Sequence, residues 1–232
     1  METRNVEISA LRTLRSGFLY LLVAVIMGIV AALAGLISII AAFGFMAAAP
    51  HGPSAFAGVI GAVALLLVLS LVAVGIVLYA IFGKIRPGVR QLSEVDNGFR
   101  ICYTGTTLIL VGLAILVLGL VVFAITILTS LYFTSPTVAS GGFMLALGVI
   151  IISGIIAFIG NILTFVVGAF KLHSRYQNSL YMAAGILFIL DIALLLVGFS
   201  GILSLVGYIL MYIALGDTIN KLSTAAATPA QA

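Results

Sequence analysis

Charged side chains are scarce in this chain: they make up 7% of its 232 residues, whereas a soluble domain carries about 25%. A chain this apolar lacks the polar surface that a soluble fold of its size needs, so lipid must be its solvent. The scarcity is most marked in five apolar blocks, in which only Asp191 would normally be charged. These blocks cover residues 17–49, 55–83, 104–133, 141–170 and 181–216.

Cysteine pairs and the motifs of catalysis are also missing. The single cysteine, Cys102, cannot form an internal disulfide, and His51 and His173 fall in opposite loops, where they cannot share a metal. The chain has no zinc-protease, dinucleotide-binding, phosphate-loop or nucleophile-elbow motif. We therefore expect neither an enzyme nor a cofactor.

The apolar blocks predict the fold. A run of 18 or more apolar residues is long enough to cross a bilayer as a helix, and the backbone of a spanning segment must be paired internally. The blocks are continuous rather than alternating, which excludes a transmembrane barrel. The sequence therefore predicts an all-α, polytopic transmembrane bundle with five spans. It forms one domain, residues 1–221, followed by a disordered tail, residues 222–232.

The last block, residues 181–216, leaves two alternatives open. It is the longest, and a glycine-containing stretch from Gly198 to Gly201 interrupts it. It forms either one long span, bent or broken at these glycines, or two short segments folded back on each other. We favour the single span, because a backbone loop inside the membrane needs cover from protein. Two short segments would place Lys221 and the C-terminus on the side of the N-terminus.

The positive charges alternate between the two sides of the membrane. The loops after blocks one and three have no basic residue, so the positive-inside rule places the other loops and the N-terminus in the cytoplasm. With five spans, nine basic residues lie inside and only Lys221 outside. This distribution indicates a plasma-membrane protein whose partner surface is lipid, and it argues against nucleic acid. The basic residues are Arg4, Arg12, Arg15, Lys84, Arg86, Arg90, Arg100, Lys171, Arg175 and Lys221.

Several segments at the cytoplasmic ends of the blocks share a pattern. Residues 6–16 and 89–100 are amphipathic, which is typical of helices at a membrane surface. Residues 14–18, 95–99 and 176–180 repeat one order of apolar, polar and small residues with a spacing of 81. The pattern fits duplication of a helical hairpin, with the third copy shortened, and it equally fits the residue types that a membrane interface favours.

Asp191 is the sharpest candidate for a functional residue. It lies about 18 Å into the last block at helical rise, with Asn161 and Ser70 at similar depths of about 15 and 21 Å. The three side chains could form a midplane site for a proton or cation, because intramembrane acids usually serve function. The structural alternative is a protonated Asp191 that forms a hydrogen bond between helices. We favour this alternative, because no intramembrane cation accompanies the acid.

Small residues recur at helix-packing intervals. Gly98, Gly105, Gly112 and Gly119 are seven residues apart, Gly160 and Gly168 flank Thr164, and Gly28 lies between Ala24 and Ala32. Small residues let helix backbones approach closely in lipid. We expect these residues to pack helices within the chain; the alternative is an interface between subunits.

Short motifs near both ends of the chain resemble a known family. They are residues 11–18, residues 159–163 followed by 169–172, residues 184–187, and residues 206–210 with 212–216. The chain resembles the archaeal membrane-protein family called domain of unknown function 973. The resemblance implies an archaeal plasma membrane and about five spans, and it brings no activity or catalytic residues. Asp191 departs from the apolar residue or proline expected at its position.

Three functions remain open from the sequence. The first is a non-enzymatic bundle that self-associates or acts as a structural or accessory subunit of a membrane assembly. The second is a small ion- or proton-coupled transporter or channel that uses Asp191. The third is a lipid-binding or membrane-shaping protein that uses the amphipathic segments. We favour the first, because the chain has no large domain and has several glycine seams.

Overall fold

The computed structural model describes residues 2–48, 53–132, 136–195 and 201–227, and all the elements within these residues are helices. Five stretches are long and apolar enough to cross a membrane. The predicted all-α, multi-pass membrane fold is therefore confirmed. The α-helices are α1 (Glu2–Ala48), α2 (Pro53–Leu78), α3 (Arg86–Val95), α4 (Arg100–Tyr132), α5 (Pro136–Asn161), α6 (Val167–Tyr176), α7 (Ser179–Leu195) and α8 (Ile202–Ala227).

The helices form three hairpins, of which two are long and one is short. The pair α1 and α2 forms the first, and the pair α4 and α5 forms the second. Helix α4 has 33 residues, about 50 Å, whereas α7 has only 17 residues, about 25 Å. Helix α7 is therefore only about half as long as α4. Within the described residues, no long helix of the first hairpin packs extensively along a long helix of the second.

The last apolar block, residues 181–216, does not form the single span that we favoured from the sequence. Tyr181 near the start of α7 forms a hydrogen bond with Thr218 near the end of α8, while Asp191 accepts one from Ser204. These two pairs show that α7 and α8 run antiparallel, so the single span is wrong and the two-segment alternative is correct. The fifth stretch long enough to span is accordingly Ile202–Thr224, not residues 181–216. Lys221 thus lies at the same end as the other basic residues.

The predicted disordered tail also needs correction. Helix α8 continues to Ala227, so residues 222–227 are helical, and Arg4 donates a hydrogen bond to the carbonyl of Leu222. The main chain of Leu222 is thus bound to the start of α1. Residues 228–232 lie outside the described residues.

Two π-helical segments mark equivalent positions in the long hairpins. One covers Tyr79–Ile85 after α2, and the other covers Ile162–Val166 after α5. Each is followed directly by a ten-residue helix, α3 or α6, and these two helices begin and end 81 residues apart. The sequence spacing of 81 is therefore also a structural repeat, which favours hairpin duplication over a general preference of interfaces.

The buried core lies at one end of the bundle, where the ten basic residues and both chain ends meet. We call it the basic end. Side chains from all three hairpins form this core, and they include Leu11, Phe18, Ile85, Leu92, Phe165, Tyr181, Met211 and Leu215. The opposite halves of the long hairpins instead present exposed apolar side chains, such as Leu71 and Met144. The fold thus joins the hairpins at the basic end and leaves their other halves to lipid.

Candidate functional site

Asp191 lies on α7 and binds the start of α8. Its Oδ1 accepts a hydrogen bond from the amide of Gly201 at 3.0 Å, and its Oδ2 accepts one from the Ser204 hydroxyl at 2.6 Å. Gly201 has a φ of +98°, which favours glycine, and its carbonyl accepts the first bond of α8, from Leu205. Asp191 therefore caps α8 from a neighbouring helix and places a carboxylate at the positive end of the helix dipole.

A cavity of about 260 Å³ adjoins this cap. Asp191, Asn161, Ser204 and Tyr208 supply its polar groups. The structure thus brings Asp191 and Asn161 to one cavity, as the sequence predicts. Ser70 lies half-buried on α2 and is not among the described residues that line it. Ser204 and Tyr208 take part in the site although the sequence analysis did not select them.

Aromatic rings lie next to the cavity. Tyr208 packs with Phe188 at a centroid distance of 5.4 Å, and both line the cavity. Phe165 packs against both of these rings and against Phe18, which belongs to the core at the basic end. These four residues, the aromatic cluster, thus extend from the lining of the Asp191 cavity to the core at the basic end.

The cavity offers chemistry for one proton or one small cation. An ionised Asp191 would supply one negative charge, and Asn161, Ser204 and Tyr208 would add neutral oxygens. Both carboxylate oxygens already accept hydrogen bonds from the chain, which reduces what they can offer to a cation. Among the described residues, no three His, Cys, Asp or Glu side chains are grouped as metal ligands would be.

A second polar cluster joins the first two hairpins at the basic end. Arg175 forms ion pairs of 2.8 Å with Glu7 and with Asp96, and Tyr176 donates a hydrogen bond to Glu7. The amide of Gly98 donates to Asp96 and, together with Arg175, holds the pKa of Asp96 below its usual value. These contacts link the first helix, the α3–α4 turn and α6.

The sequence as a whole places the chain in a family. The profile of the family described as "Protein of unknown function (DUF973)" matches residues 7–232. The chain belongs to the DUF973 family. No curated protein and no solved structure matches it. Membership in DUF973 thus agrees with the resemblance seen in the short motifs, and it adds no activity.

The predicted packing glycines of this DUF973 chain occupy different environments. Between α4 and α5 the contact is close: a Cβ on Gly160 would lie 2.7 Å from Gly105 O, and one on Gly112 would lie 2.8 Å from Ala157 N. A Cβ on Gly119 would lie 3.0 Å from the Val149 side chain, and one on Gly168 would make only an ordinary contact with Cys102. The seam of small residues in α4 is therefore filled by α5.

Two of the predicted packing glycines do not lie at such a contact. Gly98 belongs to the short 3₁₀ turn Asn97–Phe99, where its nearest neighbours are Asp96 and Lys171. Gly28 has no described atom within 4 Å of the position that a Cβ would take. Gly75 and Gly154 share this property, on α2 and α5. Open glycines thus occur on both long hairpins.

Proposed function

We propose that the protein is a non-enzymatic integral membrane protein that acts as a structural or accessory subunit of a membrane assembly. The proposal places it in the plasma membrane of an archaeal cell with a cytoplasmic N-terminus. One observation carries this proposal: the long hairpins have exposed apolar side chains and also glycines that no described atom contacts closely. These glycines are Gly28, Gly75 and Gly154. In lipid, small residues serve close contact between helices.

The charge distribution supports the proposed orientation. With α7 and α8 folded back, all ten basic residues lie at the basic end, including Lys221. The loops that follow α1 and α4, at the other end of the hairpins, contain none. The positive-inside rule then assigns the basic end, and both chain termini, to the cytoplasm.

The environment of Asp191 also supports a structural role. Asp191 is 8% exposed, and its carboxylate holds the start of α8 through Gly201 and Ser204. The aromatic cluster extends from the lining of its cavity to the core at the basic end. A buried acid used in this way stabilises a hairpin that lies within the membrane, and it needs no transported ion.

The test is the native mass of the full chain, extracted gently from its own membrane, with its partners identified. A mass well above the 24.1 kDa monomer is expected, either as multiples of this chain or with other proteins. Gly28→Leu and Gly154→Leu should lower the assembled fraction by adding bulk at open positions. Val206→Leu, at an exposed site on α8 and therefore outside the long hairpins, is the control. A lone monomer in native lipid would contradict the proposal.

A second candidate is a small ion- or proton-coupled transporter or channel. It is favoured by one observation, the cavity in which Asp191 meets Asn161, Ser204 and Tyr208. Flux of protons or small cations through the protein would be measured in sealed vesicles. A flux that is lost with Asp191→Asn and kept with Ser70→Ala would establish this function. Equal flux with and without the carboxylate would remove it.

A further inference from the structure

A cleft at the basic end lies apart from the Asp191 cavity. It has a volume of about 400 Å³ and lies between the first turns of α1 and the last turns of α8. Arg12, Arg15 and Ser16 line it from α1, and Tyr212 and Asn220 line it from α8. No acidic side chain of the described residues lines this cleft, so its two arginines give it a net positive charge.

Arg15 is held in place inside the cleft, and it forms no ion pair with an acidic side chain in the part of the chain that the structure describes. Its guanidinium lies over the Tyr212 ring, with 4.4 Å between Cζ and the ring centroid. Gly216 makes room for it, because a Cβ there would lie 3.1 Å from the guanidinium Cζ. Its Nε is buried and has no hydrogen-bond partner among the described residues. A buried guanidinium donor of this kind calls for an acceptor.

Apolar side chains continue from the cleft toward the middle of the membrane. Leu19 lines the cleft one turn beyond Arg15, and Val23 and Ile26 follow on the same face of α1 at helical spacing. All three are exposed. The two arginines thus directly precede the apolar block that begins at Gly17, where lipid phosphates are expected, and an exposed apolar stripe lies beside them.

We propose that this cleft is a binding site for the phosphate group of an anionic membrane lipid. Arg12 and Arg15 bind the phosphate oxygens, and the Asn220 amide donates a further hydrogen bond. The acyl chains lie along Leu19 and Val23. Tyr212 and Gly216 act as positioning residues, since they fix the guanidinium of Arg15 in the cleft.

The binding of phosphatidylglycerol to the full chain in detergent, measured by native mass spectrometry, tests the proposal. Arg15→Gln should weaken it about tenfold, because a charge-assisted pair is lost, and Arg12→Gln should weaken it several-fold. Arg90→Gln is the matched control: it removes one charge from the same end, at an exposed site paired with Glu94. It should change the affinity less than about twofold.

Three further results bear on the ligand. Phosphatidylcholine, which has the same phosphate but no net charge, should bind more weakly than phosphatidylglycerol. Inorganic phosphate at the same concentration should not compete with the lipid; competition would overturn the assignment to lipid. Equal affinities for Arg12→Gln, Arg90→Gln and the unmodified chain would also overturn it. Arg12 is exposed, so its variant remains a test if Arg15→Gln fails to fold.

Discussion

The contact between α4 and α5 gives a sharp prediction for two glycines on one helix. A Cβ on Gly160 would lie 2.7 Å from both Gly105 O and Ile109 N, which are main-chain atoms of α4. Six residues earlier on α5, a Cβ on Gly154 would have no described atom within 4 Å. Alanine at these positions therefore makes the same chemical change in opposite surroundings.

The magnitude follows from the distances. At Gly160 the new methyl group would be about 0.7 Å closer than the 3.4 Å at which ordinary contact begins. Main-chain atoms cannot rotate away, so the two helices must separate, and overpacking of this kind costs about 1–3 kcal/mol. At Gly154 alanine should be neutral or stabilising by up to about 1 kcal/mol, because it favours the helix. The two variants should thus differ by about 1–4 kcal/mol.

Unfolding in mixed micelles with increasing sodium dodecyl sulfate, followed by far-UV circular dichroism, measures this difference. Equal helicity of the two variants before denaturation would show that both start from the folded state. If Gly160→Ala unfolds at the same detergent fraction as Gly154→Ala, the close approach of α4 and α5 is refuted. Gly112→Ala, which also meets the main chain at 2.8 Å, should follow Gly160→Ala.

Two other predictions concern the polar clusters. Asp191→Ala should destabilise the chain by about 1–3 kcal/mol in the same unfolding assay, because it removes the cap of α8 and two hydrogen bonds. Asp191→Ala and Ser204→Ala should not be additive, and additive effects would contradict their direct bond. Because the pKa of Asp96 is lowered in the folded state, the ionised side chain contributes to the stability of the fold at a pH above the pKa that Asp96 has in the unfolded chain. This contribution should be lost as the pH falls through the lower, folded pKa, and Arg175→Gln should weaken this acid dependence. An unchanged acid profile in that variant would contradict the role of Arg175.

Part of the candidate site could be predicted from local sequence patterns. Asp191 and Asn161 could be selected because a polar side chain deep in an apolar block is unusual on its own. Ser204 and Tyr208 carry no such signal, since serine and tyrosine are ordinary residues in membrane helices. Gly201 offered one clue: a glycine break ten residues after the acid brings the two together if the helix turns back. We preferred the alternative, one long span that is bent or broken at these glycines.

The sequence of the last apolar block could not decide whether the chain turns back between α7 and α8. The length of this block fits one tilted span and two short segments equally. Contacts between residues far apart in the sequence show that the chain turns back. Tyr181 binds Thr218, and Arg15 packs on Tyr212 and Gly216. The fold also uses Arg175 for ion pairs with Glu7 and Asp96, whereas in the sequence Arg175 is only one of ten basic residues.

The sequence by itself determined that the chain is helical and spans a membrane, and it located the 81-residue repeat. Both follow from local properties: apolar length, the pairing of backbone groups in lipid, and residue order. Tertiary structure alone decided which small residues meet another helix and which lie open. It also decided that the last block folds back and that Arg12 and Arg15 share a cleft with α8. The physical reason is that in lipid most helix faces are equally apolar, so the choice among packings depends on close contacts and a few polar pairs.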